Sequence, residues 1–238
     1  MKKKIFLLSS FIVILFSAGL KAQLLDDAKK LLNQGTTGLS EKDAADGIRE
    51  ALVKGTNESV KIVSKTDGYF GNPQIKIPWP KDAKDIESKL RDIGLGNKVD
   101  EVVTTINHAA ENAAKDAETI FVTAVKQMTV TDAINIVKGK NDAATQYLSK
   151  TTTPELTTKF TPVIKAALDK VDATRLWTEL ISDYNRIPFV SKKNPDLTAY
   201  VTGKAIDGLF IMIAKEELKI RQNPAARTTE LLKKVFGN

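Results

Sequence analysis

Cysteine is absent from the 238-residue chain, and histidine occurs once, at His108. The missing cysteines exclude disulfide bonds, cysteine nucleophiles and thiolate zinc sites. A serine–histidine–aspartate triad would have to use His108, and no G-x-S-x-G motif accompanies it. Neither a Walker phosphate loop nor a dinucleotide-binding glycine motif occurs. The sequence therefore predicts no cofactor, and a fold stabilised by packing.

A metal site has little support in the sequence. His108 has Glu111 one turn after it and Glu101 two turns before it, so that carboxylates could lie beside the ring. A single histidine without cysteine is an unusual basis for zinc, and an all-carboxylate site would need further acids at inward positions. We interpret His108 as a surface residue and predict no metal.

The first 22 residues have the pattern of a signal peptide. Three lysines precede an apolar run at 5–16 that only two serines interrupt, and small residues follow up to Ala22. The run is shorter than the roughly 20 residues of a membrane span, which argues against the alternative of an uncleaved anchor. We expect cleavage after Ala22, a periplasmic or secreted protein, and no transmembrane span in the mature chain.

Cleavage also changes the charge. The segment holds four of the 36 basic residues and none of the 29 acidic ones, so the formal net charge of +7 falls by four. No clustered basic face is apparent in the remainder, and we therefore expect no nucleic acid partner.

The mature chain is predicted to be one all-α domain, residues 23–238, folded as a bundle of about eight to nine helices. Apolar residues recur at helical spacing, and glycines, prolines and capping residues mark the ends. The clearest repeat steps by threes and fours from Val99 to Ala124, which predicts one helix of about seven turns. The remaining predicted helices lie at 24–34, 40–64, 81–93, 131–138, 141–149, 153–171 with a kink at Pro162 or a split after Phe160, about 176–187, 196–221 and from 225 to 236.

A proline-rich segment interrupts the helices from Asp67 to Pro80. Its prolines exclude helix, and Ile75 and Ile77 alternate with polar residues, which predicts a short extended arm with both isoleucines on one side. The arm is the first candidate binding site, because loops often carry function. The alternative is that its apolar side chains plug one end of the bundle. The candidate residues are Tyr69, Phe70, Lys76 and Trp79.

A second candidate site consists of polar residues near apolar helix faces. We expect Asp207 to form a buried ion pair with an arginine, or the arginines to hold an anionic ligand. Glu217 and Arg221, four residues apart, are expected to pair on a helix surface. The candidate residues are Tyr184, Asn185, Asp207, Arg221 and Arg227.

Several motifs together resemble the DUF4197 family of exported bacterial proteins of unknown function. The resemblance covers essentially the whole mature chain and implies an exported helical protein, without implying catalytic or binding residues. The motifs are Asp67-Gly68-Tyr69, Asn72-Pro73, Ile75-Lys76-Ile77-Pro78, Asp207-Gly208-Leu209-Phe210, Pro224-Ala225-Ala226-Arg227-Thr228 and Leu231-Leu232-Lys233-Lys234-Val235-Phe236-Gly237.

Three functional hypotheses follow. The first is a non-enzymatic envelope protein that binds an unknown envelope protein or an apolar ligand. The second is a carboxylate-dependent envelope hydrolase, which requires two acids facing one pocket about 5–10 Å apart. The third is a protein that holds a metal with carboxylates.

Overall fold

The protein is described from a computed structural model, which covers residues 40–186, 188–189, 191–194, 196–223 and 233. The predicted signal peptide, the predicted helix at 24–34 and the predicted last helix lie outside these residues. Eight α-helices, one 3-10 turn and no strand occur in the covered ranges, which confirms the all-α prediction. The elements are α1 (Glu41–Val63), the 3-10 turn (Lys81–Ala83), α2 (Lys84–Asp92), α3 (Gly96–Ala114), α4 (Ala117–Gln127), α5 (Val130–Lys138), α6 (Ala143–Lys170), α7 (Ala173–Asn185) and α8 (Leu197–Gln222).

The two longest helices, α6 and α8, form the centre of the bundle. They pack against each other, while α3 contacts both and α1 contacts α8. Twelve residues of α8 are buried, including Val201, Leu209 and Ile213. The Asp196 side chain caps α8 by accepting a hydrogen bond from the Ala199 N–H at 2.8 Å, close to the predicted start.

The predicted break between helices at 141–149 and 153–171 is wrong, because α6 runs continuously through Pro154 and Pro162. Each proline removes one backbone donor. Threonine hydroxyls bond carbonyls along this stretch, and Thr158 donates to the Pro154 carbonyl at 3.0 Å. Packing outweighs the local cost, because an unbroken buried row spaced by four residues runs along α6. The row consists of Leu148, Thr152, Leu156, Phe160, Ile164 and Leu168.

The single long helix predicted over 99–124 is also wrong, since it divides into α3 and α4 at Lys115 and Asp116. The Asp116 N–H bonds the Ala113 carbonyl at 3.1 Å, a 3-10 turn in place of the α-helical pattern. Ala113 and Ala117 on either side are both fully buried. The apolar seam thus continues across the break, which is why periodicity alone does not reveal it.

Helix α5 begins at a capping box that the predicted start at residue 131 misses. Thr129 and Asp132 bond each other's backbone N–H groups at 3.1 and 3.0 Å. The bonds from Thr129 hold the pKa of the Asp132 carboxyl below its usual value. This cap starts α5 at an angle of 103° to α4.

By length and composition α8 meets the criterion for a membrane-crossing helix, and a bent α4–α5 pair would meet it as one unit. Just over half of the apolar window in α8, 56%, is buried within the protein. The buried central helix of a helical bundle can meet the same criterion of length and composition without crossing a membrane.

Candidate functional site

The proline-rich arm is attached to α3 through a buried carboxylate. Glu111 is only 4% exposed. Its Oε1 accepts the N–H groups of Tyr69 and Phe70 at 3.0 and 3.1 Å, and its Oε2 accepts the Asp67 N–H at 3.2 Å. One side chain thereby satisfies three amides of the turn that begins the arm.

The second half of the arm is bound by Asn107, one helical turn before Glu111. The Asn107 amide accepts the Ile77 N–H and donates to the Ile77 carbonyl, both at 2.8 Å. The Asn107 side chain thus pairs with the Ile77 backbone as a neighbouring β-strand would. Ile75 and Ile77 are buried while Gln74 and Lys76 are exposed, as predicted. The extended backbone predicted for this part of the arm is wrong at Ile75, because a turn forms in which the Asn72 carbonyl accepts the Ile75 and Lys76 N–H groups at 3.1 and 2.8 Å.

The arm also packs tightly against α8. The Tyr69 ring is fully buried, and its hydroxyl donates to the Ala205 carbonyl at 2.6 Å. A Cβ at Gly208 would lie 2.6 Å from that ring, so only glycine leaves room for Tyr69. Burial, reinforced by the nearby carboxylates of Glu111 and Asp207, raises the pKa of the Tyr69 phenol well above its ordinary value. Two motifs distant in sequence therefore meet in the fold.

Of the other arm candidates, Phe70 and Lys76 lie on the surface side and Trp79 is buried. Phe70 is half-buried and meets the His108 ring edge-on, with ring centroids 5.9 Å apart. The Lys76 ammonium lies 3.9 Å from the centre of the Phe70 ring, a cation–π contact. Trp79 is nearly buried and donates from its indole N–H to the Ala83 carbonyl.

Beyond Trp79 the arm borders an apolar groove of about 460 Å³. Trp79 and Trp177 meet edge to face in it, with ring centroids 5.3 Å apart. We call this the tryptophan groove. It is lined by Trp79, Leu90, Leu95, Val99, Val102, Ala173, Leu176, Trp177 and Leu197, with Lys98 and Glu179 as its charged residues.

Both charged residues of the tryptophan groove have partners. Lys98 donates to Glu101 at 2.9 Å, and this bond raises the pKa of the lysine. Glu179 bonds Arg175 at 2.9 Å. An apolar ligand would therefore meet no unpaired charge there.

A second groove, of about 530 Å³, is lined mainly by residues 74–78 of the arm and by α8. Lys76, Lys81, Tyr200, Lys204 and Asp207 are among its lining residues. Lys204 pairs with Asp207 at 3.0 Å.

The predicted pairing of Asp207 with a buried arginine is wrong, since Asp207 is exposed and bonds Lys204. On α8 it shares a stripe with Gly203, Lys204 and Ile211, which are also exposed. The helical period thus directs this carboxylate to solvent, although its sequence neighbours Ile206 and Gly208 are buried.

The buried ion pair is instead Arg221 with Glu217, at 2.9 Å, and the surface pairing expected for these two residues is wrong. Glu217 also accepts the backbone N–H groups of Ala144 and Thr145 at 3.0 and 2.9 Å, where α6 begins. The carboxylate thus caps a helix distant in sequence. Arg221 additionally donates to the Ile136 carbonyl at 2.8 Å.

Tyr184 and Asn185 hold the loop that follows α7. The Asn185 amide donates to the Lys193 carbonyl and accepts the Lys193 N–H, at 2.9 and 2.7 Å. The Lys193 ammonium lies 5.9 Å from the centre of the Tyr184 ring. Tyr184 and Asn185 thus stabilise a loop, whereas the arm candidates belong to the segment between α1 and the 3-10 turn. Arg227 lies outside the described residues.

Sequence reasoning did not find the anchoring roles of Asn107 and Glu111. The available signal was their position, because they are polar residues four apart within a stripe of alanines that reads as buried. A polar side chain there needs a partner from another segment.

The fold and the arm define an all-α protein whose bundle is closed by a hydrogen-bonded, non-helical segment. The chain belongs to the family described as "Protein of unknown function (DUF4197)", which it matches over residues 38–237. No curated protein and no solved structure matched the chain.

Proposed function

We propose that this is a non-enzymatic protein of the bacterial cell envelope that binds a small apolar molecule in the tryptophan groove. The observation that carries the proposal is the groove itself, concave, of about 460 Å³ and lined mainly by apolar side chains from the arm and four helices. Ligand pockets typically measure about 300–1,000 Å³ and are mostly apolar with few polar groups.

The partly exposed leucines support a ligand that enters from solvent. Leu95 and Leu176 line the groove and are 43% and 41% exposed. A ligand that covers them gains about 25 cal/mol per Å² of apolar surface removed from water. A small molecule fits the concave shape better than a protein partner, which would need a broader surface.

The envelope assignment rests on the N-terminal sequence. If the first 22 residues are a cleaved signal peptide, the full-length chain expressed in a bacterium should appear in the periplasm or medium with Gln23 as its first residue. Intact-mass measurement of the fractionated protein tests this. A mass that retains Met1–Ala22 would contradict it.

No specific observation favours the hydrolase. Among the described pockets, two acids, Glu58 and Glu118, line one cleft beside α1 and α4 together with Lys61 and Lys115. Both carboxylates are exposed. The general acid of a carboxylate-dependent hydrolase lies where it is removed from water, and these side chains lack that environment.

Tryptophan fluorescence provides a direct binding test, because Trp79 and Trp177 are the chain's two tryptophans and both line the groove. We expect a brominated fatty acid, whose bromine atoms quench nearby indoles, to quench the emission in a saturable way. The unbrominated fatty acid should compete and restore the emission.

The matched variants are Leu176→Lys in the groove and Leu218→Lys on α8 outside the described pockets, at residues 41% and 37% exposed. Leu176→Lys should weaken binding at least tenfold, since it places a charge where the ligand lies. Leu218→Lys should bind like the wild type. Equal weakening in both variants, or no saturable quenching of the wild type, would overturn the proposal.

A further inference from the structure

Three potential metal ligands meet where the arm joins α3. Nε2 of His108 lies 3.1 Å from Oδ1 of Asp67 and 4.0 Å from Oε2 of Glu111. One ligand atom from each of the three residues lies within 4.8 Å of the other two. Asp67 comes from the arm, while His108 and Glu111 are one turn apart on α3.

The geometry of these ligands is fixed by the surrounding structure. Glu111 is held by its three bonds from the arm, including one from the Asp67 N–H at 3.2 Å. Asp67 has a φ of 60°, a left-handed conformation that aspartate tolerates better than most residues. The edge-on contact between the Phe70 and His108 rings limits the movement of the imidazole.

The charge balance favours a cation. Among the described residues, the ion pairs of Asp67 and Glu111 involve only His108, and no lysine or arginine lies within 4 Å of either carboxylate. The nearby Lys76 ammonium lies over the Phe70 ring. With a neutral imidazole the cluster carries two negative charges, one of them on the nearly buried Glu111. A divalent cation would balance both.

We propose that Asp67, His108 and Glu111 bind a divalent transition-metal ion of the zinc class. One imidazole nitrogen and two carboxylate oxygens are a suitable ligand set, and the exposed side of the cluster leaves room for water as a further ligand. Ligand bonds of about 2.1 Å at tetrahedral angles place ligand atoms about 3.4 Å apart. The His108–Glu111 distance of 4.0 Å therefore needs only a small contraction. The site is separate from the tryptophan groove, and neither proposal depends on the other.

The test is zinc titration of the untagged protein by isothermal calorimetry, with thermal melts run in parallel. His108 is the chain's only histidine and no cysteine is present, so background zinc binding is low. We expect one zinc per chain and a higher melting temperature with zinc. His108→Gln and Asp67→Asn should each weaken binding at least tenfold. Both residues are exposed, so we expect these variants to fold, and circular dichroism checks this.

Glu101→Gln is the control, because Glu101 is an exposed acid on the same helix and is paired with Lys98 instead. It should bind zinc like the wild type. The single histidine also provides a site-specific probe, since zinc should shift the imidazole NMR signals and suppress their titration with pH. No zinc binding, equal binding by His108→Gln, or histidine signals that titrate identically with and without zinc would each overturn the proposal.

Discussion

Two buried glutamates join distant parts of this bundle, and they differ in how their charge is balanced. Glu111 holds the arm through three backbone N–H groups, and Glu217 holds the start of α6 through two. Glu217 also bonds Arg221, whose side chain is only 11% exposed. Within the part of the chain that the structure describes, the ion pairs of Glu111 involve only His108.

The difference separates a structural junction from a candidate site. At Glu217 the charges, donors and acceptors are matched within the protein, so the junction needs nothing further. At Glu111 a carboxylate charge remains beside a second carboxylate and a histidine, which are accessible from solvent. Substitutions at the two junctions and in the arm test this contrast.

Removing the carboxylate at the α6 junction should have the largest effect. Glu217→Ala removes the carboxylate that pairs with the Arg221 guanidinium and accepts the Ala144 and Thr145 N–H groups. We expect a loss of about 3–5 kcal/mol in the free energy of unfolding, measured by urea denaturation at pH 7.

The neighbouring Glu216 provides the control, since its pair with Lys219 lies closer to solvent. Glu216→Ala should cost less than about 1 kcal/mol. The double variant Glu217→Leu with Arg221→Met should recover part of the loss because both members of the ion pair are replaced by apolar side chains. Equal losses for Glu216→Ala and Glu217→Ala would show that the buried pair has no special role.

Removing the carboxylate at the arm junction should cost less. Glu111→Ala leaves three N–H groups of the arm without their acceptor but strands no buried arginine, so we expect a loss of about 1–3 kcal/mol. Hydrogen exchange should show faster exchange of the Tyr69 and Phe70 amides. Unchanged protection of these amides would contradict the anchoring role of Glu111.

Two glycines of α8 test whether packing also holds the arm. Gly208→Ala places a methyl group 2.6 Å from the Tyr69 ring and should destabilise the protein by about 1–2 kcal/mol. At Gly203 no atom lies within 4 Å of the added Cβ, so Gly203→Ala should stabilise the helix by about 0.5–1 kcal/mol. Thermal melts of the two variants should therefore shift in opposite directions, and shifts of the same sign would refute the packing argument.

Tyr69→Phe should cost about 1 kcal/mol at neutral pH, from loss of the bond to Ala205. Folding raises the pKa of the Tyr69 phenol. The contribution of this group to the free energy of unfolding is therefore fully present below the pKa of about 10 that the phenol has in the unfolded chain, and it declines above that pH. The wild type should lose about 1.4 kcal/mol per pH unit above pH 10 that the variant does not lose. Urea denaturation at pH 7, 10 and 11 measures this, and parallel curves for the two proteins would contradict it.

Much of the fold could be predicted from local patterns. The start and end of α1 and α8, the end of α5 before Gly139 and the alternation of Ile75 and Ile77 follow from periodicity and turn chemistry. The two wrong predictions of helix boundaries share one cause, which is that packing between helices decided the outcome. At Pro154 and Pro162 a strong local signal is overruled by packing along α6, and at Lys115 the buried seam conceals a turn.

Less of the candidate site could be predicted. The arm aromatics were identifiable because prolines isolate them from the helices, but Trp177 and the leucines of the groove resemble ordinary core residues. Asp207 illustrates the limit, since one step around a helix decides whether a carboxylate meets an arginine or water.

The sequence by itself determined that the chain is helical, that one segment cannot be helical and that no thiol chemistry is available, because periodicity, proline and missing cysteine act locally. Only the tertiary structure decided that Glu111 and Asn107 bind this segment, that Gly208 makes room for Tyr69, and that His108 lies beside Asp67. These contacts join residues 30 to 139 positions apart, and their partners depend on how the helices pack.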